Sequence, residues 1–341
     1  MKIRIHRFGR FALVLTAMAL PVRGMVSVTP TTDAAVLGAA LNPRGLTITS
    51  ASIEYGIDGQ FGTYSNFNLP PVTITNGIVL SSGEVAHVGD PPDPDLYYPD
   101  LQPDYQMGYN NSPEFDAYGP GHIENFEGSF DVAVLRVDFN LTTNTPIKFD
   151  FIFGTVEYPA YTSAYTDALL VFLDGTGPAN QITFDADNDP MQVGVSFAGL
   201  VETNDRNTAF ANPHGLLGPL TTTTATLAAG DHTIRFEVGD VTDSDLDSAA
   251  FIANLRAGTG TQGTVSDKPP PLLATGAQLQ SGKTKVNLTW TNNGVEVVLE
   301  SAGDLTGSWN TVSSSWSTNA NWIQTTVTNS AAKQFFRLHH E

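Results

Sequence analysis

The chain has 341 residues, with 16 Lys and Arg against 35 Asp and Glu, a net charge of −19 and no cysteine. Disulfides, zinc–thiolate sites and cysteine nucleophiles are therefore excluded, and the lack of a basic footprint argues against nucleic acid and anionic lipid. The charge favours a well-hydrated surface that attracts divalent cations.

The N-terminus reads as an export signal over residues 1–24. Lys2, Arg4, Arg7 and Arg10 precede an apolar run at 11–22. That run is too short to span a bilayer but has the length of a signal-peptide core. Gly24 offers a small residue for cleavage, and removing the segment takes the net charge from −19 to −24. The mature chain then carries no transmembrane segment, and a secreted or cell-surface location is expected.

Beyond the signal, Pro30 with Thr29 as its cap predicts one short helix. Its apolar face is Val36, Leu37, Ala40 and Leu41, and Asn42-Pro43 stops it. Strand-like segments follow at 46–55 and 78–81. Residues 84–128 carry ten Asp and Glu, no Lys or Arg, and many Pro, Tyr and Gly. No helical or strand period survives there. Long loops of this kind are functional or disordered. Two readings stand: a plain solvated loop, or a binding loop whose Tyr97, Tyr98, Tyr105, Tyr109 and Tyr118 stack on sugars.

A β pattern then takes over. Ala133, Leu135, Val137 and Phe139 alternate with polar residues, as do Ile147, Phe149, Phe151 and Phe153, and His232, Ile234, Phe236 and Val238. Each reads as a strand with one buried face, which gives His232 a core role. The run 169–173 is continuously apolar and reads as a central strand, with 249–255 a weaker example. These elements predict an all-β fold, an antiparallel β-sandwich or jelly roll spanning 25–257 with one short N-terminal helix. A Gly/Thr/Pro linker follows at 258–271. Residues 272–341 read as a small Ig-like or fibronectin-like sandwich. It holds Trp290, Trp309, Trp316 and Trp322, of which one or two anchor its core.

The candidate chemistry lies where strand runs end in acids. Glu157, Asp167, Asp240, Asp243 and Asp247 fall at such ends, and Asp243, Asp245 and Asp247 have i, i+2, i+4 spacing. Calcium takes six to eight oxygen ligands, mostly carboxylate and carbonyl, so convergence of 151–175 with 236–252 would suit Ca2+. The alternative is that these carboxylates cap turns. A second acidic string, Asp185-Ala-Asp187-Asn188-Asp189, opens like an EF-hand loop but has Pro190 where glycine is required and Ser196 where Glu is required, so it reads as a polar turn. Catalytic signatures are lacking: there is no HExxH or GxSxG, Gly194-Val-Ser196-Phe-Ala198 lacks the second glycine, and His87, His122, His214 and His232 are scattered.

Several blocks resemble the choice-of-anchor L domain family of exported bacterial proteins. They are TPTTDAAVLGAALNPRGLTITSASIEYG, NGIVLSSGEV, FDVAVLRVDFNLTTNTPIKFDFIFGTVEYPAY, YTDALLVFLDG and VGDVTDSDLDSAAFI. The resemblance implies an exported or surface protein and names no reaction. The chain departs from the family pattern at Val156, where an acid precedes Glu157 in relatives, and at Thr166, where Asn precedes the Asp. If that acidic pair binds metal, a ligand is missing here. The C-terminal segment is similar to a β module that closes many exported proteins of verrucomicrobial-type bacteria. The expected function is non-enzymatic, calcium-assisted binding or adhesion to an extracellular glycan or a cell-envelope or matrix component. A structural matrix or filament subunit that self-associates is the first alternative, and an exported hydrolase acting on polysaccharide the second.

Overall fold

The computed structural model describes residues 26–341 apart from 68–73, 91–102, 109, 163, 186–187, 195–200, 202–207, 211–213, 259, 261, 267–272, 281–282, 292–296, 305–307, 319–321, 330–333 and 341. In chain order it begins with β1 (Ser27–Pro30), α1 (Ala34–Ala40), β2 (Thr47–Tyr55), β3 (Phe61–Ser65) and β4 (Asn76–Ser81). Two short helices follow, α2 (Val85–Val88) and α3 (Pro113–Tyr118). Then come β5 (Ser129–Leu141), β6 (Ile147–Thr155), β7 (Ala168–Leu173), β8 (Met191–Gln192), β9 (Gly215–Leu216) and β10 (Leu220–Thr223). The first sandwich closes with β11 (Gly230–Val241), β12 (Ser248–Ala257) and β13 (Gly263–Ser266).

These strands form two antiparallel sheets. The first runs β1-β3-β4-β12-β6-β10-β13, with β9 also paired to β6, and the second runs β2-β5-β11-β7-β8. Alternation places one side-chain row of each strand between the sheets. Phe149, Phe151 and Phe153 of β6 and Ala250 and Ile252 of β12 share one core with Leu135, Val137 and Phe139 of β5, Leu169 and Val171 of β7, and Ile234, Phe236 and Val238 of β11. Leu37 and Leu41, on and just after α1, join that core.

The outer faces are covered as well, which explains the continuous apolar runs. On the first sheet, Ile152, Phe251 and Val79 pack with Val85 and Val88 of α2 and with Phe210. On the second, Val132, Val134, Leu170 and Phe172 pack beneath Phe115 and Tyr118 of α3. Strands buried on both faces lose the polar alternation of a half-exposed sheet, hence ALLVFL at 168–173. His232 is partly buried, its ring 5.5 Å from that of Phe139 and its Nδ1 2.7 Å from Asp174.

Three expectations change. The helix is capped by Asp33, whose side chain accepts from Ala35 N at 3.0 Å and Val36 N at 3.3 Å. Pro30 instead ends β1, opposite Gly62 of β3, because the cap adjacent to the apolar run satisfies the first amides. The acidic segment 84–128 is not structureless, since it contributes α2 and α3. Part of the expected linker is a strand: β13 pairs with β10.

The C-terminal segment forms β14 (Leu273–Gln280), β15 (Lys283–Thr291), β16 (Val297–Ala302), β17 (Asn310–Thr311), β18 (Trp316–Thr318), β19 (Trp322–Asn329) and β20 (Phe335–His340). They make a four-stranded sheet, β14-β15-β19-β18, and a three-stranded one, β17-β16-β20. Leu288, Trp290, Leu299, Val327 and Leu338 form its core. Trp290 is the buried anchor, with Trp316 edge-on at 5.1 Å and 40% exposed. Arg337 lies 4.4 Å over the Trp309 ring.

An ion network fastens the α3 layer to the second sheet. Arg235 sits 2.8 Å from Glu54, 3.2 Å from Glu237 and 3.4 Å from Glu114, and Ser112 Oγ donates to Glu237 at 3.1 Å. Burial pushes Glu237 up to about 7 despite Arg235 and Ser112. Between the unfolded value and about 7 the folded state holds a proton that the unfolded state releases, so this group makes stability fall as pH rises. We expect Glu237→Gln to gain on the parent protein in Tm between pH 4.5 and 7, with no further gain above. A Tm difference independent of pH would refute this.

Candidate metal centre

Three inward-facing rows of the first sandwich end in an acid. The β6 row Phe149, Phe151, Phe153 continues through Thr155 to Glu157. The β11 row Ile234, Phe236, Val238 ends at Asp240. Asp167 stands two residues before Leu169 of β7. With a side-chain period of two, each acid keeps the inward parity of the apolar row that it terminates. Pairing brings these ends together: Gly239 lies opposite Ala168, and Ser248 opposite Thr155. Asp247 joins them from the β11–β12 connection, where Val156 N donates to its carbonyl at 3.2 Å. Glu157, Asp167, Asp240 and Asp247 are at most 1% exposed.

The backbone around them is irregular. Val238 pairs with Ala133 but Asp240 with Phe130, so β5 carries one extra residue there. Asp131 sits in this bulge at φ +47, while Thr242 at φ +85 and Leu246 at φ +66 flank the Asp243–Asp245 turn. Bulges re-aim side chains, and left-handed backbone at Thr and Leu persists only where the surroundings hold it. Met107 N donates to Asp131 Oδ2 at 2.8 Å, which makes Asp131 a fifth buried acid of this end.

The carboxylates divide by partner. Asp167 caps the turn, accepting from Val241 N at 3.1 Å and Ser248 Oγ at 2.6 Å. Asp243 accepts from Asp245 N at 3.4 Å, and Asp247 Oδ1 from Tyr105 N at 2.9 Å. Both oxygens of Glu157, both of Asp240 and Oδ2 of Asp247 are buried without a hydrogen-bond partner. Ser82 Oγ is near Asp240 and Asp167 N is near Glu157, but neither reaches hydrogen-bond geometry, and Ser82 Oγ lies 3.3 Å from the Ser248 carbonyl. Asp167 is close enough to bond Asp240 only if one of the two keeps its proton.

Unpaired ionised carboxylates in such a place cost several kcal/mol each, and their proton affinities reflect this. Burial, followed by the fields of Asp167 and Asp243, holds Glu157 far above the carboxylate range. Burial, then Asp167 and Asp247, does the same to Asp240. Asp247 is raised by burial despite its bond from Tyr105, and burial pushes Asp167 up to about 7 and Asp243 to about 6. The cluster can take protons, or it can take a hard cation that supplies the missing positive charge. Among the described residues no three His, Asp or Glu side chains are already gathered around one point as a metal site. A cation would therefore have to draw the free oxygens inward by side-chain rotation.

All five acids expected as ligands lie at this end. Asp131 and Asp104 were missed by sequence reading, since neither ends an apolar run. Asp104 belongs to a strap, residues 103–107, laid over the β11–β12 connection. Val156 has the opposite parity to Glu157 and packs with Ile152 and Phe251 on the outer face, so an acid at 156 would not face this cluster and its replacement removes no ligand. Thr166 Oγ1 donates to the Glu124 carbonyl at 2.5 Å.

The tyrosines separate. Tyr97, Tyr98 and Tyr109 lie outside the described residues. Tyr105 is half-buried and stacked on His87, with ring centres 4.4 Å apart. Tyr118 is 2% exposed and packs edge-on to Phe172, with its phenol pushed up to about 12 by burial. Tyr118 is thus a core residue and no platform for sugars, because α3 turns it into the sheet. The string at 185–189 is a turn in which Asp189 N donates to Asp185 Oδ1 at 3.0 Å; its residues 186 and 187 and Ser196 lie outside the described residues.

Fold and site together define an antiparallel β-sandwich protein with a buried acidic end. The chain belongs to the Choice-of-anchor L domain family, whose profile matches residues 31–255, from before α1 to the end of the core part of β12. Membership marks it as an exported or surface protein. No curated protein matches the chain. Among the described residues no helix is long and apolar enough to cross a membrane.

One glycine gives a direct probe of the cluster. A Cβ at Gly83, just after β4, would overlap the Asp247 carboxylate, which Tyr105 N holds in place. We expect Gly83→Ala to lower Tm, by an overpacking cost of about 1–3 kcal/mol. An unchanged melting curve would show that Asp247 has room to move.

Proposed function

We propose that this protein is a binding module of the cell surface or its surroundings, with calcium held by Glu157, Asp167, Asp240, Asp243 and Asp247. One observation carries the reading: Glu157 and Asp240 are buried with all four carboxylate oxygens unpartnered. A structure that merely capped its turns would leave no such groups, because each is costly unless charge or protons arrive. Calcium fits better than magnesium, since it accepts flexible, carboxylate-rich shells, whereas magnesium demands near-octahedral geometry.

The cation serves binding rather than turnover in this reading. It stiffens the end of the sandwich beside the acidic, Tyr-rich segment, where Tyr105 presents an aromatic ring at the surface. The partner is an extracellular glycan or another matrix or envelope component, engaged without catalysis. Retention of the protein on immobilised polysaccharide, weakened by Tyr105→Ala, is the expected behaviour.

Titration of chelator-treated protein with Ca2+ tests the metal. Heat of binding and a rising Tm are expected, about 2.7 kcal/mol of stabilisation at a hundredfold excess over Kd. No heat and no shift in Tm sink the proposal. Glu157→Gln supplies a change of sign: it removes a carboxyl that must take up a proton on folding, so at pH 8 it should raise Tm in chelator yet lower the gain from Ca2+ by at least half. The same Tm offset in both conditions would indicate a carboxyl with no cation to hold.

A further inference from the structure

Three hydrogen bonds from the strap at 103–107 end on acids of this end. Tyr105 N donates to Asp247 Oδ1 at 2.9 Å, Met107 N to Asp131 Oδ2 at 2.8 Å and Gln106 Nε2 to Asp245 Oδ1 at 2.7 Å. Two ties run through the connection's backbone: Asp247 N donates to the Pro103 carbonyl at 3.1 Å, and Leu246 N to Asp104 Oδ1 at 3.4 Å. His87 stacks on Tyr105 from the side of α2. Asp104 is the strap's one acid, and its field reaches both Asp243 and Asp247.

We infer that the strap is the moving wall of the cation site: Asp104 is a further ligand, and calcium clamps residues 103–107, with Tyr105, onto the sandwich. This rests on the calcium reading above and extends it to how the site is closed. The oxygens left unpartnered on Glu157, Asp240 and Asp247 supply the inner part of the shell, and Asp104 adds an oxygen from the outer side. The charge of Asp104 acts with opposite sign in the two states. Without a cation, Asp104 is pushed from the ionised Asp243. With a cation between them, the same charge is drawn in. The strap's amide bonds also strengthen when their acceptors are held ionised. Cation affinity and strap closure are then linked, and each must favour the other by the same factor.

Hydrogen exchange on the full chain, with calorimetry on the same samples, tests this. Saturating Ca2+ is expected to slow exchange of the Tyr105 and Met107 amides at least ~10-fold relative to β14–β20, and Asp104→Asn to weaken Ca2+ binding by at least ~10-fold. In chelator, Asp104→Asn should exchange those two amides more slowly than the parent protein, since the repulsion is gone. If Ca2+ binds with heat while the two amides exchange unchanged, the strap is not a wall of the site and the site itself stands. If the amides slow but Asp104→Asn binds Ca2+ like the parent, Asp104 is no ligand and the inference is overturned in that part. If no Ca2+ binds at all, the metal reading falls and this inference with it.

Discussion

The acidic end is governed by one conflict: carboxylates occupy positions that the geometry of the sandwich reserves for apolar side chains. A two-sheet core grows along its strands by adding inward residues at every second position. In β6, β7 and β11 that series is Phe, Leu, Val and Ile, with Thr155 as a polar member, until the last inward position, where it becomes Glu157, Asp167 and Asp240. All three groups are shut off from solvent, and of them only Asp167 accepts an amide hydrogen bond. The irregular backbone nearby follows from the same fact. The bulge at Asp131 and the left-handed Thr242 and Leu246 let the chain turn around a charged end that a regular hairpin would have sealed with apolar side chains.

The remainder of the first sandwich gives that end something rigid to stand on. Both sheets are covered on their outer faces, so β6, β7, β11 and β12 are held from two sides. Core packing leaves little freedom for these strands to spread, and the spacing of the three rows is therefore fixed by phenylalanines and leucines well away from the acids. The strap and the β11–β12 connection depend instead on hydrogen bonds that mostly end on carboxylates. Such bonds respond to charge where packed side chains do not, which makes the strap the part of this end that ionic conditions can move.

The sequence carried the strand pattern plainly. Period-two alternation located β5, β6 and β11, and apolar continuity located β7 and β12. The acids at 157, 167, 240, 243 and 247 were legible as interruptions of those runs, and parity could have gone further: counting by twos from Phe153, Leu169 and Val238 lands on three inward acids. Parity would also have placed Val156 outside the cluster. What no period could give was α2, α3 and β13. The helices span only four and six residues, too short to show a 3.6-residue pattern, and β13 exists because β10 offers it an edge. Tyr118 looked like one more surface tyrosine because its burial comes from α3 docking on Phe172.

Composition, alternation and the placement of acids at strand ends determined the all-β class, most of the strands and a short set of residues worth watching. Those properties are local, written into each segment by its own side-chain order. Only the tertiary structure decided which strand ends share a corner, that Glu157 and Asp240 lie there without partners, that Asp131 and Asp104 join them, and that a strap from a distant segment closes over them. Pairing in a sandwich links residues far apart in the chain, as Tyr105 and Asp247 are, and burial at such a corner is a property of all the strands around it.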